Sequence, residues 1–393
     1  MKLAQRMSRL GTETAFEVLV RAKALEAQGR EVIHLEIGEP DFDTPSHIIE
    51  AACRALRSGY THYVPSAGIP ELREAIAEDV SKSRGIPVNP NQVVVTPGGK
   101  PIMFFVILAL AESGDEVIYP NPGFPIYESM INFVGAKPVP LRLLEEREFN
   151  FDVEELRSKI TPRTKLIIIN SPHNPCGSML SGEDLAAIAE ITSKYDVMIL
   201  SDEIYSRIVY DGEFVSITSL PGMAERTIIL DGFSKTYAMT GWRMGYGVMP
   251  EALAGQVAKL MTNSNSCTAA FTQVAGVEAL KGPQDESYKM VAAFKERRDF
   301  IVKGLNAIPG IRCLLPKGAF YVFPNVKELV KKGKFANTKA LADALLQEAG
   351  VATLSGTAFG EYGEGYLRLS YANSIQNLEK ALQRIGEFAA KYQ

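Results

Sequence analysis

Short β-branched runs alternate along this chain with longer stretches of helical spacing. Val93-Val94-Val95 and residues 116–119, 166–169, 197–200 and 227–230 read as buried strands, each bounded by Gly, Pro or polar residues. Between them, residues 183–195 carry Leu185, Ile188, Ala189 and Thr192 at helical spacing, and residues 102–111 form an apolar helix. Continuous apolar strands alternating with helices predict an α/β fold, a mostly parallel sheet sandwiched by helices. From about Leu280 the pattern changes to a long charged helix through Glu296, Arg297 and Arg298, then short strands near residues 319–323 and 366–370. A helix over residues 14–28 is expected to pack with this C-terminal part, so the smaller α+β domain draws on both chain ends. The expected division is 41–285 for the large domain and 1–40 plus 286–393 for the small one.

Composition narrows the chemistry. The 393 residues, 46% hydrophobic and 22% charged, are those of an ordinary globular chain. Lys and Arg total 42 against 46 Asp and Glu, a net charge of −4, which gives no general attraction to nucleic acid or an anionic membrane. The longest apolar run, 102–111, falls short of the ~20 residues that span a bilayer. Residues 1–9 are charged and lack the apolar run of a signal peptide, so a cytoplasmic location is expected. Cys53, Cys176, Cys267 and Cys313 are scattered without a CxxC, which suits a reducing compartment. His34, His47, His62 and His173 show no metal-ligand spacing, and no metal is expected.

The densest chemical string is Asp231-Gly232-Phe233-Ser234-Lys235-Thr236-Tyr237-Ala238-Met239-Thr240-Gly241-Trp242-Arg243-Met244-Gly245, directly after an expected strand. Open α/β sheets place ligands at such strand ends. A lysine within reach of a serine and an arginine suits a carbonyl cofactor that carries a phosphate and binds the amine as a Schiff base. Taken singly, such a lysine is usually a solvated surface residue; the complete string is far more specific. Thr96-Pro97-Gly98-Gly99-Lys100 opens the apolar helix, where bare backbone N–H groups make a phosphate site. Asn170-Ser171-Pro172-His173-Asn174-Pro175-Cys176-Gly177 and Ser201-Asp202-Glu203-Ile204-Tyr205 each follow a strand. Alone, the first reads as an Asn-Pro turn and the second as a helix cap.

Together these motifs resemble the class I and II aminotransferases, pyridoxal-phosphate enzymes of fold type I. The attachment pattern is matched by Gly232, Ser234, Lys235, Gly241, Arg243 and Gly245. The resemblance implies that Lys235 binds the cofactor covalently while Ser234, Arg243 and the backbone of Gly98, Gly99 and Lys100 hold its phosphate. It also implies that Asp202 pairs with the ring nitrogen, that Asn174 and Tyr205 bond the phenolate oxygen, and that Phe124 stacks on the ring. Glu203 is read as structural or solvent-facing. Arg368, in Tyr366-Leu367-Arg368-Leu369-Ser370, matches the arginine that grips the substrate carboxylate, with Gly38 and Asn174 beside it. Tyr63, in Tyr60-Thr61-His62-Tyr63, matches a tyrosine that reaches the neighbouring subunit's phosphate and so implies a homodimer with shared sites.

His173 and Cys176 stand where Asn and Thr are frequent, and His173 is expected to add a titrating group near the cofactor. The implied reaction moves the α-amino group of an L-amino acid, aspartate-like or of broad range, to a 2-oxo acid such as 2-oxoglutarate by a ping-pong route. Lys100 could face solvent or reach a distal carboxylate, whereas Phe124 weakens an aspartate assignment and leaves room for alanine, branched-chain or aromatic donors. A β-lyase of the same fold is the closest rival. A cofactor-sensing regulator module is disfavoured, since no basic helix-turn-helix accompanies it.

Overall fold

The computed structural model describes residues 1–392. Eight strands form the main sheet in the order Val93–Thr96, Gly245–Val248, Thr227–Gly232, Met198–Asp202, Thr164–Asn170, Glu116–Asn121, Lys137–Leu144 and Asn150–Phe151. Neighbours from Thr227–Gly232 to Lys137–Leu144 run parallel. Gly245–Val248 is antiparallel to both its neighbours, because residues 233–244 are spent on turns and not on the crossover helix that a parallel return requires.

Strand alternation sends successive side chains to opposite faces of the sheet. Leu166 and Ile168 join Ile102, Val106 and Ile107 of the Lys100–Leu110 helix in one core. Ile167 and Ile169 join Leu185 and Ile188 of the Gly182–Thr192 helix on the other face. The second face continues where Val93 and Val95 meet Leu72 and Ile76 of the Pro70–Arg84 helix. A sheet covered on both sides is the fold class that the apolar runs predicted.

Two findings depart from the sequence pattern. Lys137–Leu144 is a strand although Pro138 and Pro140 interrupt it; proline is tolerated because its outer neighbour, Asn150–Phe151, pairs only with Leu143 and Leu144. The fourth expected strand starts at Met198, one residue after Val197.

Near the C-terminus, Leu367–Ser370 lies antiparallel between Tyr321–Val322 and Leu354–Ser355. Ile33–His34 pairs in parallel with Val351–Ala352, so the N-terminal segment does join the C-terminal part. Ile33, Leu35, Phe294, Ile301, Phe320, Leu369, Leu378 and Ile385 share one core there, and Tyr205 and Ile208 enter it from the main-sheet side. That shared packing brings Arg368 towards the strand ends of the main sheet. Register aligns those ends: Asn170 lies opposite Asp202, Asp202 opposite Leu230, and Gly232 opposite Gly245.

Candidate active site

Lys235 sits in the turns that follow Thr227–Gly232, half-buried, with Nζ donating to the Gly38 carbonyl at 2.5 Å and lying 5.7 Å from the Phe320 ring centre. Burial, with further lowering by the Arg368 and Lys100 charges, outweighs Glu39 and brings its pKa from 10.5 to about 8. The turn is conformationally demanding: Ala238 and Arg243 both hold positive φ, 50° and 53°, which costs non-glycine residues energy.

Asp202 ends its strand 5% exposed. Tyr127 Oη donates to its Oδ2 at 2.7 Å and the Ile204 N–H approaches Oδ1 at 3.3 Å, but it makes no ion pair among the described residues. Burial raises its pKa to about 6 against these two hydrogen bonds. Tyr127 escaped the sequence reading. Its only signal is its place three residues after Phe124, whose ring meets it edge-on at 5.8 Å.

Around Gly98 the chain is packed too closely for side chains. Gly98 has φ +90°, and a Cβ there would strike the Arg243 guanidinium; a Cβ on Gly245 would meet the Gly99 nitrogen at 2.5 Å. Arg243 donates to the Thr240 carbonyl at 2.7 Å, and Ser234 is buried at the head of the same turn. Bare backbone, an arginine and a helix start at Lys100 thus converge.

Arg368 is 4% exposed. One Nη donates to the Glu36 carbonyl, the other lies 3.5 Å from Asn174 Oδ1, and Nε has no partner among the described residues. The guanidinium lies against the rings of Tyr321 and Phe359 at 4.6 and 5.1 Å. Tyr321 also shares a 2.7 Å hydrogen bond with Tyr205 Oη, and its hydroxyl occupies the space a Cβ on Gly38 would need. Asn170 orients Asn174 by accepting its N–H at 2.9 Å. Glu36, Asn170 and Tyr321 were not identified from sequence, because nothing local marks them as neighbours of Arg368 or Asn174.

Several expectations need correction or qualification. Of the two readings of Glu203, structural or solvent-facing, the structure shows the first: it is 1% exposed and accepts from Arg84 at 2.9 Å, while Arg84 also reaches Asp231 at 2.8 Å. His173 does not titrate in the physiological range, since burial with both ring nitrogens unpartnered drops its pKa to about 3. Cys176 is buried, with its thiol pushed well above the usual range by desolvation. Of the two readings of the Lys100 side chain, solvent or a distal carboxylate, the structure excludes neither: it is 45% exposed, its Nζ pairs with Glu13 and stands 5.5 Å from the Phe124 ring centre. Tyr63 is 87% exposed, so within its own chain the structure does not bring it into the cluster.

A fold and a lysine–aspartate–arginine cluster of this kind agree with the comparisons. The family model described as "Aminotransferase class I and II" matches residues 30–385, and the chain belongs to that family. An aspartate aminotransferase of Bacillus subtilis is 40% identical over 394 residues, covering 100% of both chains. The crystal structure of the aspartate aminotransferase from Rhizobium meliloti superimposes with a TM-score of 0.94 at 36% identity, covering 100% of each chain. An alanine aminotransferase from Pyrococcus furiosus gives a TM-score of 0.94 at 36% identity, covering 99% of this chain and 100% of its own. The chain is therefore a pyridoxal-phosphate-dependent aminotransferase of fold type I.

The residues present fit that cofactor. A buried carboxylate with no cation among the described residues, Asp202, suits a protonated ring nitrogen, and the Gly98–Gly99 backbone with Arg243 suits a phosphate. Lys235 has a depressed pKa that favours the neutral amine needed to meet an aldehyde.

Proposed function

We propose that this enzyme moves the α-amino group of an L-amino acid, aspartate-like or of broad range, to a 2-oxo acid such as 2-oxoglutarate. The observation that carries the reading is the buried Arg368, whose Nε has no partner among the described residues while one Nη lies 3.5 Å from Asn174 Oδ1. A planar guanidinium with a free edge in a low-dielectric pocket binds a carboxylate in one orientation. Ser234, Arg243 and the backbone of Gly98, Gly99 and Lys100 would hold the cofactor phosphate, Asp202 would keep a proton on the ring nitrogen, and Asn174 and Tyr205 would bond the phenolate oxygen. Phe124 would cover the ring.

Pyridoxal phosphate, when bound, supplies the carbonyl that captures the amine and the ring that stabilises negative charge at Cα. Arg368 fixes the substrate carboxylate and so sets which Cα bond faces Lys235. Lys235 Nζ, neutral in a useful fraction of molecules near pH 8, accepts the proton leaving Cα and returns it as an ammonium in the following step. A β-lyase shares these parts, but the relatives reported above are named for amino transfer, which supports transfer.

The division into a large domain, 41–285, and a small domain, 1–40 with 286–393, is supported by the pairing of Ile33–His34 with Val351–Ala352. Tyr63, exposed in one chain, would complete the partner's phosphate site in a homodimer. Free, scattered cysteines suit a cytoplasmic enzyme, and no helix among the described residues is long and apolar enough to cross a membrane. The test uses aspartate or alanine with 2-oxoglutarate, following glutamate: wild type should give parallel ping-pong lines and Lys235→Ala no turnover. Wild-type turnover by Lys235→Ala, or pyruvate formed faster from a cysteine conjugate than glutamate from any donor, overturns the reading.

A further inference from the structure

Glu13 stands where the Thr14–Glu26 helix begins, yet it does not cap that helix with its side chain. Its carboxylate instead crosses to Lys100 and pairs with Nζ, 18% exposed against 45% for the lysine. Lys100 Nζ in turn lies over Phe124, 5.5 Å from its ring centre. The Glu13 charge also acts, as a smaller influence, on Lys235, Arg368 and Tyr321, so the Glu13–Lys100 pair lies within electrostatic reach of the candidate site. Besides Arg368, Lys100 is a cation whose charge acts on Lys235, and that charge is already matched by Glu13.

We infer that Glu13 is a specificity-determining residue that occupies Lys100 in place of a substrate carboxylate, so that donors with uncharged side chains bind with the pair closed and dicarboxylates bind only by displacing it. The inference rests on the amino-transfer reading and refines its substrate class. The discrimination is electrostatic and acts against one class of ligand: a distal carboxylate meets a like charge at close range, whereas a methyl, branched or aromatic side chain meets the Phe124 ring and a neutralised pair. Glu13 is poorly suited to its own helix start, where Ser, Thr, Asp or Asn are favoured, so the bond to Lys100 accounts for its side-chain position better than capping does.

The test measures binding of succinate and of butyrate, neither of which carries an amine, to the holoenzyme by calorimetry. Glu13→Gln should tighten succinate by roughly tenfold or more and leave butyrate within about twofold. The kcat/KM ratio of aspartate to alanine should rise by a similar factor, through KM more than kcat. Glu13→Gln combined with Lys100→Ala should lose the gain. Glu13→Ala, which removes the side chain's polar atoms altogether, should repeat the result, and melting temperatures of both variants check the fold. Unchanged or weaker succinate binding in Glu13→Gln, or equal tightening of butyrate, overturns the inference. If wild type converts neither donor, the amino-transfer reading fails; if it converts both and Glu13→Gln leaves their ratio fixed, only the role of Glu13 fails.

Discussion

Asp202→Asn separates the cost of a buried charge from its use. Burial lifts the Asp202 pKa from 3.8 to about 6, roughly two units at ~1.4 kcal/mol each, or about 3 kcal/mol against the ionised form in the apoprotein. The sign follows from proton counting. Between pH 4 and 6 the folded chain keeps a proton that the unfolded chain has released, so this group's contribution to stability falls as pH rises and is fully lost above about pH 6. Asparagine carries no such penalty. Its amide oxygen can still accept from Tyr127, now 2.7 Å from Oδ2, but its NH₂ would then face the Ile204 N–H that approaches Oδ1. Setting donor against donor costs about 1–2 kcal/mol. The net expectation is that apo Asp202→Asn exceeds wild type by about 1–2 kcal/mol at pH 8, while at pH 4.5 it falls level with wild type or below.

Cofactor should reverse the order. With pyridoxal phosphate bound, wild-type Asp202 would, on the proposed pairing with the ring nitrogen, gain a cationic partner that asparagine cannot match, so the cofactor should stabilise wild type more and kcat of the variant should drop by roughly a hundredfold or more. Urea titrations of apo and holo forms at both pH values supply the four stability differences. An apo variant less stable than wild type by the same amount at pH 4.5 and pH 8 would refute the reasoning, since it would mean that the carboxylate is already satisfied inside the protein.

Lys235, with its pKa near 8, should capture pyridoxal phosphate at a rate that climbs with pH and reaches half its maximum near pH 8; a midpoint near 10.5 in stopped-flow absorbance would show that burial does not tune it. Arg368→Lys keeps the charge but loses the planar fork, so kcat/KM should fall roughly 10- to 100-fold for every donor and chiefly through KM; a loss confined to dicarboxylates would place the α-carboxylate elsewhere. Gly98→Ala forces an L side chain to φ +90° and into Arg243, which should cost ~1–3 kcal/mol of stability and weaken cofactor binding roughly tenfold by calorimetry; unaltered affinity would remove Gly98 from the phosphate site.

The sheet could be read from the chain because parallel strands are buried on both faces and leave uninterrupted apolar runs, as at Ile167, Ile168 and Ile169. Lys137–Leu144 could not, since its prolines and partly exposed face erase that signal. The same logic divides the site. Asp202 ends, and Asn174 and Lys235 follow, strands that end side by side, so local motifs report them. Tyr321, Glu36 and Glu13 come to the cluster from elements whose position depends on packing between distant parts of the chain, which no local spacing encodes.

How charges are partnered distinguishes the groups proposed to meet ligands from those that hold the fold. Arg84 lies as deep as Asp202, yet it meets Glu203 and Asp231 within 2.9 Å and has its desolvation offset inside the protein. Among the described residues Asp202 has no cation and Arg368 Nε no partner, and Lys235 rests on a neutral carbonyl. Each of these three retains a deficit that a ligand of one sign and shape would fill: a protonated ring nitrogen, a carboxylate and an aldehyde carbon. Glu203 shows why burial alone misleads, because a carboxylate directly after Asp202 in sequence is answered by Arg84 and leaves nothing for a ligand to satisfy. Glu13 and Lys100 form the mixed case, a pair satisfied internally beside the Phe124 ring, so on the proposed reading a dicarboxylate would compete with a partner already in place.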